Sequence, residues 1–221
     1  MRTQTDRHRM SRAEPLLSNA ERLISDAAHM HTEGRSRSAA TLIVVALEQL
    51  GAFVEALTQE KYPGAVLHIG IFGDRANAHA KRQDALAAHV LNFALGAQAA
   101  LCLAEKWYEE TKSTDPEDLL RWLQKSQPIK FDPAQQERSK RDPDVIVANT
   151  LMQAVRTGQL KHLREYGFYE DAERVFSDAS VGEMIDLTEK VRKILAKAPI
   201  LPETMKIAGV NMPEGLVLGP A

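Results

Sequence analysis

The most apolar stretch of the chain covers residues 38–57 and follows a helical pattern, with Glu48 near its centre. No residue from Thr41 to Leu47 is charged, and a helix that is apolar on every side lies inside a bundle of other helices. A carboxylate directly after such a segment is costly unless it is paired. We therefore expect Glu48 to meet a cationic partner, and the basic segment 75–82 supplies one.

Apolar residues recur at helical spacing in five segments, which predicts five principal helices. The predicted helices cover residues 14–33, 36–61, 74–112, 144–165 and 180–199. Gly34 and the Pro63–Gly64 pair end the first two helices. A turn is expected at residues 166–169.

The remaining segments are polar or rich in proline and are expected outside the packed helices. We expect a flexible basic arm at residues 1–12, a packed loop at 63–73 and an irregular tail at 199–221. Residues 113–144 form an inserted loop, with a short helix at about 115–125. The sequence thus predicts one all-α domain over residues 13–198, an up-and-down bundle of four to five helices.

Composition and charge narrow the class of protein without giving its function. Apolar residues make up 44% and charged residues 26% of the chain, which is ordinary for a soluble domain. The net charge of −2 excludes a general attraction for nucleic acid, so any such contact needs a local patch. Cys102 is the single cysteine, which agrees with a reducing cytoplasm. The longest run free of charge and histidine, 90–104, falls short of a membrane span.

Common catalytic and nucleotide-binding motifs are absent from the sequence. It contains no GxxxxGK[ST], GxGxxG, HExxH, CxxC or GxSxG pattern. His29 and His31 are two residues apart on a predicted helix, so their rings diverge and make a poor metal pair. We therefore expect neither a metal nor a cofactor.

A basic cluster opens the third predicted helix. Arg75, His79 and Arg82 are spaced by four and three residues, which places them on one helix face, and Lys81 lies beside them. The first turns of a helix also favour a bound anion. The cluster is therefore either a phosphodiester-binding surface or a solvated helix start that forms salt bridges with acids such as Glu48.

Three segments, read together, resemble a known family. They are NAERLISDA at 19–27 with ALEQLG at 46–51, HAKR at 79–82, and LREYGFYED at 163–171. In this order and spacing they are similar to the AbiV family of phage abortive-infection proteins, a branch of the HEPN superfamily. The resemblance implies a HEPN-like bundle that forms a homodimer in the cytoplasm and acts on RNA or on a phage protein.

HEPN ribonucleases carry an arginine and a histidine separated by four to six residues. Arg82 and His89 fit this spacing and overlap the basic segment of the family. The spacing alone discriminates little, because Arg22 with His29 satisfies it too, as do the pairs Arg2/His8 and Arg156/His162. Arg82 and His89 are the preferred pair.

The activity that the resemblance implies is metal-independent RNA cleavage, in which a 2′-hydroxyl attacks the adjacent phosphate. An imidazole that titrates near neutral pH would move the proton, and arginine or lysine would stabilise the developing negative charge. A carboxylate would orient the histidine or a basic partner. The implied catalytic residues are Glu48, His79, Arg82 and His89, and the implied RNA- or phosphate-binding residues are Arg75, Lys81 and Tyr169.

A second hypothesis is a non-catalytic helical binding module that recognises a phage protein or a nucleotide. Gln49 and Ala52 stand where the family pattern has a glutamate and a lysine, which favours this alternative. Glu48 would then pair with Lys81 or Arg82 and fix the register of two helices.

Overall fold

The computed structural model describes residues 12–61, 78–115, 118–119, 121–122, 133–169 and 177–197, and at residues 61 and 78–81 it describes the backbone alone. In these residues all regular structure is helical, which confirms the all-α class. Seven helices are described. They are α1 (Ala13–Thr32), α2 (Ser36–Lys61), α3 (Ala78–Thr111), α4 (Pro133–Lys140), α5 (Pro143–Arg156), α6 (Gln159–Phe168) and α7 (Asp178–Ala196).

The seven helices exceed the predicted four to five for two reasons. The single helix predicted over 144–165 is wrong, because Gly158 adopts a left-handed conformation with φ +75° and separates α5 from α6. The turn predicted at residues 166–169 is also wrong, because α6 continues to Phe168.

The second reason is α4, which lies in the segment 113–144 that was predicted as a loop. Pro133 begins this helix in a position where its missing N–H costs nothing. None of its residues is buried, so the sequence carries no apolar spacing that would reveal it. Within the short helix predicted at 115–125, the described positions 118–119 and 121–122 are helical.

Three of the predicted segments fall outside the described residues. They are the basic arm, apart from Arg12, the loop at 63–73 and the tail at 199–221. The predicted start of the third helix at Asp74 also lies outside them, and the described helix begins at Ala78.

A tight turn joins α1 to α2, as Gly34 predicted. Gly34 has φ +75°, and the N–H of Arg35 reaches back to the carbonyl of Met30 at 2.9 Å. Nδ1 of His31 and Oγ of the buried Ser36 lie 3.2 Å apart across the turn. A connection this short makes the two helices packed neighbours.

Helix α2 forms the centre of the core. Ile43, Leu47, Leu50 and Phe53 are all at most 2% exposed, and they follow the helical spacing of the apolar run. Helices α1, α3, α6 and α7 all contact α2. The prediction that this helix lies inside a bundle is therefore confirmed.

Helix α7 is joined to α1 by a partly buried ion network. Nη1 of Arg192 lies 3.4 Å from Oε1 of Glu21, and its Nε lies 2.8 Å from Oε2 of Glu189. The hydrogen bond from Arg192 lowers the pKa of the Glu189 carboxyl. The arginine side chain is 15% exposed, so this network is screened less than the other ion pairs of the surface.

The side chains of helix α3 become more exposed to solvent along its length. Its first part is buried, with Leu86 and Val90 at 0% exposure, whereas Leu95 and Leu101 are 43% and 49% exposed. Further along, the guanidinium of Arg138 on α4 pairs with Glu105. The second half of α3 therefore presents apolar side chains to solvent.

Helices α2 and α3 are long and apolar enough to cross a membrane on length and composition alone. The stretches are Ser36–Glu60 and Arg82–Thr111, with mean hydropathy of 1.7 and 1.6. Core helices of soluble proteins pass the same test. Half of the most apolar window of α2 and one third of that of α3 are buried within the structure. The absence of membrane contact stays a prediction.

Helix α6 approaches α2 so closely that Gly167 has no room for a side chain. A Cβ at this position would lie 2.9 Å from the backbone nitrogen of Thr41. Oγ1 of Thr41 donates a hydrogen bond to the carbonyl of Gly167 at 2.9 Å. The contact brings two helices together backbone to backbone.

We expect Gly167→Ala to destabilise the protein by about 1–3 kcal/mol, because the new methyl group forces α6 away from α2. The measurement is urea unfolding followed by circular dichroism. Gly96→Ala is the matched control: a Cβ there meets nothing within 4 Å, so alanine should stabilise α3 by about 0.5–1 kcal/mol. Equal effects of the two substitutions would contradict the close contact.

Candidate functional site

The start of α3 lies against α2 at Gly51. A Cβ added at Gly51 would lie 3.3 Å from the carbonyl oxygen of Arg82 and 3.4 Å from its Cβ. Gly51 is buried, whereas the Arg82 side chain is exposed. A glycine at this point of α2 thus lets the backbone of Arg82 approach closely while its guanidinium reaches solvent.

Glu48 lies on the same side of α2, one turn before Gly51. It is half-buried and has an interaction partner. The turn of α2 that carries Glu48 therefore packs against the start of α3, as expected. The pairing of Glu48 with a particular cation stays a prediction.

Arg82 and His89 lie on one face of α3. They are seven residues apart, which is two helical turns and about 10 Å along the axis. Arg82 is exposed and His89 is half-buried. The face therefore combines a solvent-accessible guanidinium, suited to a phosphate, with an imidazole that lies deeper in the structure.

Burial fixes the charge of His89 at neutral pH. Desolvation of the imidazolium lowers the pKa of His89 from 6.5 to about 4. The ring is therefore neutral near pH 7, and one of its nitrogens is available as a proton or hydrogen-bond acceptor. A neutral imidazole serves better as a base than as an acid.

Two polar residues directly after Arg82 are buried, which was not predicted. Gln83 is 9% exposed and Asp84 is 1% exposed, so both lie inside the structure. Asp84 precedes the apolar segment 85–88, and this placement is the signal that could have indicated its burial. Asp84 lies within one turn of Arg82 and has an interaction partner.

Several predicted site residues lie where the structure gives no side-chain geometry. Arg75 is outside the described residues. His79 and Lys81 are within α3, and only their backbone is described. Their contribution to a phosphate site stays a prediction.

Tyr169 is located away from the start of α3. It directly follows α6, and Gly167 near the end of α6 contacts Thr41 of α2. Thr41 and Gly51 are ten residues apart on α2, or about 15 Å. The end of α6, which precedes Tyr169, and the start of α3, which carries Arg82, therefore contact α2 at positions about three helical turns apart.

The competing arginine–histidine pair of α1 has local partners. Arg22 lies 3.4 Å from Asp26, and His29 lies 3.2 Å from Glu33. Both side chains are more than half exposed. The pair is therefore part of the charged surface of α1 and makes a useful control for the pair on α3.

A groove of about 670 Å³ lies between α5 and α7. Ile146 and Val147 form part of its apolar side, and Lys193 and Lys197 lie at its charged side. Lys197 pairs with Asp144 at 2.7 Å, and Lys193 pairs with Glu189 at 3.4 Å. These two cations therefore already have acidic partners, which reduces their attraction for a bound anion.

Among the described residues, no group of three or more histidine, cysteine or acidic side chains could hold a metal ion. Cys102 is buried, and its Sγ accepts a hydrogen bond from Arg138 at 3.5 Å. The expectation of no metal and no cofactor stays a prediction for the whole chain.

The chain matches no protein-family model, no curated protein and no solved structure.

The lowered pKa of His89 predicts a specific pH dependence of stability. Between pH 6.5 and about 4 the unfolded chain binds a proton at this histidine and the folded chain does not. Stability should therefore fall as the pH drops through this window, by up to about 3 kcal/mol from this residue.

Urea unfolding at about pH 7 and about pH 4.5 measures this loss, and His89→Gln supplies the control because its amide does not titrate. The variant should lose less stability than the wild type between these two pH values. Equal losses in the two proteins would show that His89 titrates normally.

Proposed function

We propose that the protein is a cytoplasmic effector of antiviral defence that resembles HEPN domains and cleaves RNA without a metal ion. The observation that carries the proposal is the placement of Arg82 and His89 on one face of α3, where α3 meets the Glu48–Gly51 turn of α2. The resemblance of three segments to the AbiV family supports it. Arginine and histidine in this arrangement suit transfer of a phosphodiester.

In the proposed reaction, His89 takes the proton from a 2′-hydroxyl as its oxygen attacks the adjacent phosphorus. The P–O5′ bond breaks, and the imidazolium of His89 returns the proton to the leaving 5′-oxygen, with His79 as the alternative proton carrier. The products are a 2′,3′-cyclic phosphate and a 5′-hydroxyl. Arg82, together with Arg75 or Lys81, stabilises the charge on the phosphorane.

The burial of His89 favours the second candidate, a non-catalytic binding module. An imidazole with a pKa of about 4 is a weak base, and its burial suits a packing role. In this case Arg82 would bind a phosphate of a nucleotide, or an acidic group of a phage protein, without chemistry. The exposed guanidinium is common to both candidates.

Cleavage of total RNA by the purified protein in EDTA separates the two candidates. We expect the His79→Ala/His89→Ala double variant and Arg82→Ala to lose at least about 100-fold in rate, since each removes proton transfer or charge stabilisation. The product ends should carry a cyclic phosphate.

Arg22→Ala/His29→Ala is the matched control, because that pair has the same spacing of seven residues and lies on the surface of α1. It should retain full activity. Undiminished cleavage by the α3 variants would rule out the proposed site, and no cleavage by the wild type would favour the binding module.

We also propose that the protein forms a homodimer through the exposed apolar part of α3. Leu95 and Leu101 are 43% and 49% exposed on a segment, 90–104, that contains no charge. Apolar side chains exposed in this way on a long helix are typical of a contact surface.

Sedimentation equilibrium tests the dimer. Leu101→Glu should shift the protein toward the monomer by at least about tenfold in dissociation constant, because it places a charge inside an apolar contact. Ile146→Glu, at a comparably exposed position on α5, should leave the equilibrium unchanged. A wild-type protein that is monomeric at high concentration would contradict the proposal.

A further inference from the structure

Two aromatic rings project from the end of α6. Phe168 is 52% exposed and Tyr169 is 60% exposed, the highest values among the large apolar side chains that the structure describes. They are adjacent in sequence, so solvent reaches both rings at the same end of α6, although consecutive side chains point in different directions. Burying an aromatic ring is favourable, so two rings left exposed to solvent point to a contact with another molecule.

The backbone that carries these rings is held against α2. The carbonyl of Gly167 accepts a hydrogen bond from Thr41 at 2.9 Å, and the N–H of Tyr169 donates to the carbonyl of Glu165 at 2.9 Å. Tyr166, on the inner side, is 7% exposed and lies under the guanidinium of Arg37 at 5.4 Å from its ring centre. The rings are therefore presented by a fixed helix end, so binding would order little additional backbone.

Cations accompany the rings on the outer side of α6. Lys161 and Arg164 precede Phe168 by seven and four residues, so all three share one helix face. Glu165 offsets part of this charge, since it lies 3.6 Å from Lys161. Acidic residues also follow Tyr169 in the sequence. Stacking, rather than charge, must therefore supply most of the affinity of this surface.

We propose that this surface, formed by Lys161, Arg164, Phe168 and Tyr169, binds single-stranded RNA. Bases stack on the two rings, and the cations contact the flanking phosphates. Neighbouring rings with cations suit unpaired bases, whereas a protein partner of this size would need a larger continuous apolar patch. The inference rests on the proposed function, in which RNA is the substrate, and it adds a second contact outside the catalytic face.

Binding is tested with a fluorescent oligouridylate of about ten nucleotides, a length within the range of single-strand binding sites. Its 2′-O-methyl groups prevent cleavage. Fluorescence anisotropy should give at least about fivefold weaker binding for Phe168→Ala and for Tyr169→Ala. Phe168→Trp should retain the affinity, because it keeps a stacking ring. Few phosphate contacts predict a shallow salt dependence, with a slope of about −1 to −2.

Tyr108→Ala is the matched control. Tyr108 is 50% exposed and lies near a cation, Lys112, at 5.6 Å, but it is located at the end of α3. The Tyr108→Ala variant should bind the oligonucleotide with the same affinity as the wild type. Equal affinity of the wild type and the two α6 variants for the oligonucleotide would overturn the inference. Binding of a fluorescent polyglutamate peptide, with no measurable binding of the oligonucleotide, would also overturn it.

The same variants separate this inference from the proposed function. Ring-dependent binding by a protein that cleaves no RNA would support the surface and overturn the proposed catalysis. Cleavage that is unaffected by Phe168→Ala and Tyr169→Ala, with unchanged binding, would support the catalysis and overturn the surface.

Discussion

Helix α2 is approached closely at two points, where a glycine leaves little or no room for a side chain. At Gly51 the backbone of Arg82 on α3 lies where a Cβ would be crowded, and at Thr41 the backbone of α6 lies against α2 at Gly167. The buried residues between these points, including Leu47 at 1% exposure, fill the centre of the bundle. Because packed interiors tolerate little displacement, the two contacts fix α3 and α6 relative to one helix.

Much of the fold can be predicted from the sequence because apolar spacing is a local signal. The burial of α2 and the turn at Gly34 follow from residues that lie within a few positions of each other. Helix α4 could not be predicted in this way, since it buries nothing. The break at Gly158 was visible as a glycine, but a glycine alone does not distinguish a helix end from a tolerated interior position.

The candidate site was less predictable, because it depends on contacts between distant segments. Periodicity places Arg82 and His89 on one face, but it does not show that His89 is desolvated and therefore neutral. Nor does it show where Tyr169 lies relative to Arg82 along α2. The contacts that position the two sites join distant parts of the chain, Gly51 with Arg82 and Thr41 with Gly167.

The two contacts of α2 give the proposed catalytic face and the aromatic surface a common support. Arg82 and the end of α6 reach solvent from backbone that is fixed to the same helix, so their separation does not depend on a loop between them. If RNA engages both surfaces, as the two proposals require, the second contact forms at a high effective concentration. The aromatic surface would then raise the local concentration of RNA at the proposed catalytic face.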